Sequence, residues 1–290
     1  MKFGMKRGKT MKARPGDFRL MAILAVAALT APAFGQTAAP TAAPAANSTR
    51  NSAASIPDFS GIWAHPYLTG FEPPASGPGP VRNKSRLPNG TGRFQQLVGD
   101  YTNPILKPEA ARIVKEHGDI SLSGEGYPTP SNQCWPGGVP YIFWDFLIQM
   151  FQEPDRITMT YRQGNEVRHV RMNQPHPAQV APSWYGDAVG HYEGDTLVID
   201  TIGFNTRTEI DGFRTPHTGK LHVIERWRLV EGGNMLEGIF RIDDPDTFNE
   251  PWSGMQRLRR VERPMHEEHC AENNTPLFDY HMPVANKPDF

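Results

Sequence analysis

Between residues 141 and 263 the sequence keeps returning to one device: a short run of alternating apolar and polar residues, a turn, often containing glycine, and another such run. The sharpest instance is Gly190-His191-Tyr192, the turn Glu193-Gly194, and then Asp195-Thr196-Leu197-Val198-Ile199-Asp200-Thr201. Apolar and β-branched residues at period two suit a pleated, half-buried surface, and glycine supplies the positive φ that tight hairpins need. The pattern recurs over 141–150, 156–162, 166–172, 220–230, 235–242 and 253–263. About eight consecutive antiparallel strands leave two sheet edges that must be covered. Closing the sheet into a barrel covers both, and a β-sandwich is the alternative that needs the same alternation. The expected fold is mainly β: an antiparallel meander closing into a barrel, with one or two short helices and long loops.

The first 35 residues follow another logic. Lys2, Lys6, Arg7, Lys9, Lys12, Arg14 and Arg19 precede an apolar run over 20–29, and small residues lead to Ala33-Phe34-Gly35. That order matches a signal peptide over 1–35, its apolar run well short of the ~20 residues a membrane-spanning helix needs. Residues 36–55, rich in Ala, Pro and Thr, are expected to form a disordered tether. A single barrel domain is expected over 56–275 and an irregular tail over 276–290. The protein is therefore expected to be exported, periplasmic or secreted, with no membrane span after cleavage. Residues 1–35 hold seven basic groups and one acidic group of the chain's 30 and 31, leaving 23 against 30, a net charge of about −7. An acidic domain without a basic run repels phosphate backbones and anionic lipid, so nucleic acid is not an expected partner.

Within the expected domain, a short strand lies at 56–63 and a Pro/Gly-rich loop at 72–92. A helix is expected over 107–118, with Pro108 at its start and Gly118 as its stop. Cys134 and Cys270 are the only cysteines. In an oxidising compartment they are expected to form a disulfide, two separate buried thiols being the alternative.

Two resemblances add to this. Gly61-Ile62-Trp63 resembles the Gly-x-Trp signature of lipocalins and related calycin barrels, in which a late arginine stacks over the tryptophan. The resemblance implies that role for Arg257, Arg259 or Arg260. The long insert over 72–140 departs from the compact lipocalin pattern. Pro57-Asp58-Phe59-Ser60-Gly61-Ile62-Trp63, the Glu193–Thr201 motif, Glu225-Arg226, Asp244-Pro245 and Cys270-Ala271-Glu272-Asn273-Asn274 are similar to a large group of uncharacterised exported bacterial proteins. That similarity implies export and a shared β fold, and assigns no catalyst.

The charged residues on these strands are the candidate chemistry. Glu225 shares a strand face with Leu221, Val223, Trp227 and Leu229, while Asp200 shares one with Thr196, Val198 and Ile202. If both point inward, two carboxylates enter one cavity, and desolvation raises at least one pKa into the range of general acid–base work. An arginine such as Arg168, Arg171 or Arg226 neutralising each carboxylate is the structural alternative. His191 can pair with Asp195 or Asp200 if the turn brings them together, and His176 and His217 sit beside prolines. The candidate catalytic set is Asp200 or Glu225 as base, His191 as acid and Arg226 stabilising negative charge. Trp184, Tyr185, His176 and Trp227 are the candidate ligand contacts. His266-Glu267-Glu268-His269 has the wrong spacing for a metalloprotease helix, and no phosphate loop or dinucleotide fingerprint occurs, so neither metal nor cofactor is expected.

Three functions fit. The first is an exported barrel binding a small hydrophobic or aromatic molecule. The second is a cofactor-independent isomerase, hydratase or lyase in the same cavity. The third is an envelope structural or interaction module.

Overall fold

The computed structural model describes residues 56–270, apart from 66–69, 88–95, 125–127, 146 and 267. The expected signal peptide over 1–35, the expected tether over 36–55, residues 271–275 and the expected 276–290 tail lie outside the described residues. Among the described residues there are nine strands: β1 (Gly61–Ala64), β2 (Leu147–Gln152), β3 (Arg156–Tyr161), β4 (Val167–Met172), β5 (Asp187–Glu193), β6 (Thr196–Ile202), β7 (His222–Val230), β8 (Met235–Asp243) and β9 (Trp252–Val261). Each pairs with the next, and β9 returns to β1, with Trp63 opposite Arg260. The sheet is a closed barrel, so the sandwich alternative is set aside.

One pairing departs from the expected meander. β4 and β5 run parallel, Arg171 facing Val189 and Met172 facing Gly190, while the other neighbours are antiparallel. A ring of nine strands cannot alternate direction all the way round, so one seam must be parallel. A parallel pair needs a crossover of a dozen or more residues. Residues 173–186, including Pro175, Pro177, Trp184 and Tyr185, supply it.

Strand direction then sorts the connections. Short turns at 153–155, 194–195 and 231–234 lie at one end of the barrel, here the turn end. The 65–146 insert, the β3–β4 turn over 162–166 and the connections over 203–221 and 244–251 lie at the other, the loop end. The crossover carries the chain from the turn end back to the loop end.

Gly-x-Trp closes the barrel. The Arg260 guanidinium lies 4.2 Å from the Trp63 ring centre and donates to the Ser60 carbonyl at 2.7 Å, while Trp63 Nε1 donates to the Phe59 carbonyl at 3.0 Å. Gly61 has φ +126°, and a Cβ there would stand 2.7 Å from Arg260 Nη1. The glycine makes room for the arginine, and the cation–π contact contributes about 0.5–2 kcal/mol.

The interior is filled by aromatic rings. Phe71 and Phe143, both from the insert, meet Phe240 of β8 at ring-centre distances of 5.3 and 4.5 Å, and Trp227 meets Phe240 at 5.1 Å. The insert thus folds into the barrel. Its helix α1 (Pro108–Ser123) runs past the expected stop. Gly118 is buried inside it against Val98, where an added Cβ would find Cγ1 at 3.1 Å. Gly124, at φ +80°, supplies the left-handed stop.

Candidate functional site

Parity separates the two carboxylates that the sequence reading would bring together. On β7, Val223, Glu225 and Trp227 face inward and are essentially fully buried. Arg168 reaches Glu225 from β4, with Nη1 donating to Oε2 at 3.1 Å and Nη2 to Oε1 at 2.5 Å. Nη2 also donates to Thr201 at 2.8 Å, and Trp227 Nε1 donates to Glu225 Oε2 at 2.9 Å. Both ions are out of water, where desolvation costs several kcal/mol each unless they stay paired. Glu225 and Trp227 are therefore core, and Trp227 presents its ring to Phe143 and Phe240.

Asp200 is on the outer face of the same wall, because Leu197, Ile199 and Thr201 take the inward positions of β6. Its Oδ1 meets His222 Nε2 at 2.8 Å and His176 Nε2 at 3.2 Å. His222, then His176, holds the Asp200 carboxyl below its ordinary range, and Asp200 in turn raises the His222 imidazole. His176 also meets Asp187 Oδ2 through Nδ1 at 2.6 Å, and Arg171 Nη2 donates to both Asp187 oxygens at 2.9 and 2.8 Å. This cluster moors the crossover to the barrel wall. His191 meets neither Asp195 nor Asp200. It stands at the turn end with its Nε2 3.1 Å from Glu193 Oε1, and Arg226 donates to Glu193 Oε2 at 2.6 Å. Asp200, Glu225, His191 and Arg226 occupy three separate places, so they do not form one constellation.

The loop end assembles different residues. Glu166 ends the β3–β4 turn with 9% of its surface exposed. Gly137 N–H donates to its Oε1 at 2.8 Å, and the Tyr185 hydroxyl makes a short hydrogen bond to its Oε2. Burial raises the Glu166 carboxyl above its ordinary range. Burial and then the neighbouring Glu166 raise the Tyr185 phenol. A second buried carboxylate, Asp145, lies close by and accepts from Gln163 N–H at 2.7 Å. Beside Tyr185, the half-buried Trp184 ring carries the Arg207 guanidinium 5.2 Å from its centre.

Backbone packing holds this group in place. Val139 N–H donates to the Trp184 carbonyl at 3.2 Å. A Cβ on Gly138 would stand 2.3 Å from Thr208 Cγ2 and 2.6 Å from the Trp184 carbonyl, so only glycine lets the three segments meet. Thr208 bonds His217 Nε2 at 2.5 Å, and His217 Nδ1 lies 3.0 Å from the Thr218 carbonyl. A carbonyl only accepts, so Nδ1 carries the proton and Nε2 accepts from Thr208. Burial lowers the His217 imidazole, which fits a structural role.

Of the expected ligand contacts, Trp184 and Tyr185 are at the loop end, His176 is in the wall cluster and Trp227 is in the core. Glu166 was the residue missed. Its signal was available: Glu166, Arg168, Val170 and Met172 alternate on one face, which places a carboxylate and a guanidinium on the apolar side of β4. Glu209 and Asp211 were missed as well. Burial pushes Glu209 up to about 7 despite its 2.5 Å contact with Arg214, and pushes Asp211 up to about 6. No described group of three or more His, Cys, Asp or Glu side chains has the arrangement to hold a metal ion.

Fold and site together define a closed, mainly β barrel with a polar and aromatic cluster held by its loops. No protein-family model matches the chain, and no curated protein matches it. The functional reading therefore rests on the chemistry of the site.

Proposed function

We propose that the protein is an exported, calycin-like barrel that binds a small hydrophobic or aromatic molecule at its loop end. The observation that carries this is the juxtaposition of Trp184 and Tyr185, both half-buried, with the desolvated carboxyl of Glu166. An aromatic surface next to a few convergent polar groups is the usual composition of a small-molecule site. Trp184 supplies a flat apolar face, and the Glu166–Tyr185 pair orients one polar substituent of the ligand. Export fits the Cys134–Cys270 disulfide, and no helix among the described residues is long and apolar enough to cross a membrane.

The test is to purify the protein from Gln36 onward and identify small molecules that co-purify with it by mass spectrometry. A library of flat aromatic acids, alcohols and amines is then screened by calorimetry. Trp184→Ala and Tyr185→Phe are each expected to weaken the best binders by about tenfold, the loss of ~1.4 kcal/mol. Arg226→Ala at the turn end should leave affinity unchanged. Binders whose affinity ignores both loop-end substitutions would sink the proposal.

A second reading has its own support, the raised pKa of Glu166 beside a second buried carboxylate. In that reading the same site performs cofactor-independent proton transfer, as an isomerase, hydratase or lyase, with Glu166 as acid or base. Conversion of a bound compound that Glu166→Gln abolishes while binding survives would favour it.

A further inference from the structure

The crossover that makes the parallel seam is tied to the barrel by its backbone at two places. Asn173 N–H donates to the Gly190 carbonyl at 2.7 Å, and Ser183 N–H donates to the Gly203 carbonyl at 3.1 Å. Between those two amides, no backbone hydrogen bond to another described residue holds it. Side chains do instead. Val180 lies over Gly203, where an added Cβ would stand 2.2 Å from its Cγ1, and Gln174 accepts from Arg171 Nη1 at 3.1 Å. His176 reaches two strands at once. Its Nδ1 is 2.6 Å from Asp187 Oδ2 on β5, and its Nε2 is 3.2 Å from Asp200 Oδ1 on β6. An ionised carboxylate only accepts, so each of these contacts needs a hydrogen on the facing nitrogen. A neutral imidazole carries one such hydrogen and the imidazolium carries two. Asp200 is held ionised by His222, then His176, and Arg171 donates to both oxygens of Asp187. Both bonds therefore form only in the imidazolium.

We propose that His176 is a proton-operated latch: as an imidazolium it ties the crossover to β5 and β6 together, and on losing a proton it releases residues 174–182 from the barrel wall. Every neighbouring element brings a charge to it. β4 supplies Arg171, β5 Asp187, β6 Asp200 and β7 His222, whose Nε2 is 2.8 Å from Asp200 Oδ1. On β8, Asp243 adds to the upward shift that Asp200 gives His222, and Arg241 opposes it. Arg171 keeps its charge throughout, so Asp187 retains a cation whatever the histidine does. Asp200 has only the two imidazoles within bonding distance among the described residues. Neutral His176 must turn a lone pair toward one of its two carboxylates, which replaces a bond with repulsion. The latch is thus closed below the imidazole range and opens as pH rises through it. Protonation of Asp200, whose carboxyl is held low, opens it again only in acid. Trp184 and Tyr185 stay in place, because Asn205 N–H donates to the Ser183 carbonyl at 2.9 Å and Val139 N–H to the Trp184 carbonyl. The latch does not depend on the ligand reading given above.

NMR of the protein from Gln36 onward, with labelled imidazole nitrogens and labelled valine methyls, tests this at pH 5.5 and pH 8.5. At pH 5.5 both His176 nitrogens should carry hydrogens, and the Val180 methyls should show a cross-peak to the Gly203 Hα. At pH 8.5 one nitrogen should have lost its hydrogen, and the cross-peak should weaken by at least about twofold, a modest change because partly exposed ion pairs hold weakly. Amide protection across β7 and β8 should be the same at both values. His176→Gln, which cannot take a proton in this range, should give one cross-peak intensity at both pH values. His222→Gln should keep the wild-type difference. An unchanged cross-peak in the wild-type protein would overturn the proposal. So would the same weakening in His176→Gln, or its loss in His222→Gln, either of which would assign the pH dependence to another group. A matching loss of protection across β7 and β8 would overturn it too, since the whole barrel would then be loosening.

Discussion

The two ends of the barrel treat the same side chains in opposite ways. At the turn end, His191, Glu193 and Arg226 are each roughly half exposed, and Arg226, then His191, keeps the Glu193 carboxyl below its ordinary range. At the loop end, Asp145, Glu166, Asp211 and Asp244 are buried to between 0 and 9% exposure. The difference follows from the connections. Tight hairpins pair their own backbone, whereas long loops leave N–H groups that need acceptors. Asp211 accepts from Phe213 N–H, Thr215 N–H and the Thr215 hydroxyl, and Asp244 accepts from the Thr218 N–H and hydroxyl. Those carboxylates are loop staples. Glu166 is bonded by the Tyr185 phenol and by the backbone N–H groups of Gly137 and Gly138, beside the half-buried Trp184 ring.

The largest effect is expected at the buried Arg168–Glu225 pair that lies between the two ends. Arg168→Met should cost about 3–5 kcal/mol in urea unfolding, because it leaves Glu225 buried without its counter-ion. Adding Glu225→Leu should recover most of that loss. Equal losses in the single and double variants would show that the ion pair is not what the barrel depends on.

A smaller effect tests the outer wall, which belongs to neither end. Asp200 is held below its ordinary 3.8, so its contribution is present above that value and lost as pH falls through the lowered pKa. His222 is held above its ordinary 6.5, so its contribution is present below that value and lost as pH rises through the raised one. Asp200→Asn should therefore cost most between about pH 4 and 6.5, and less at pH 8.5. With both side chains more than a third exposed, the loss at pH 5.5 should stay under about 1 kcal/mol. The same loss at pH 5.5 and pH 8.5 would contradict the pairing.

Much of this architecture was legible in the sequence for physical reasons that act locally. Alternation and glycine turns marked the strands, and Gly61, Trp63 and a late arginine marked the closure, with Arg260 making the contact. What was not legible depends on whole-barrel geometry. Nothing local to residues 173–186 announces that nine strands require a parallel seam. Asp200 illustrates the parity problem. Its strand alternates cleanly, yet which face is inside is decided by what packs there, namely Leu197, Ile199 and Thr201. Gly118 was read as a stop because a glycine in a helix costs up to about 1 kcal/mol, and close packing on Val98 overrode that preference. The Glu193–Thr201 motif builds the wall and one tight turn, while the candidate chemistry gathers at the far end.

A ligand bound at the proposed loop-end site would perturb that end of the barrel and leave the other untouched. The direct measurement is an NMR titration of the isotopically labelled protein, from Gln36 onward, with the tightest compound from the aromatic library. Amide shifts should centre on Gly137, Gly138, Glu166, Tyr185 and Thr208, with residues 191–196 and Arg226 unmoved. Shifts centred on the turn end, or on His176 and Asp200 at the outer wall, would contradict it.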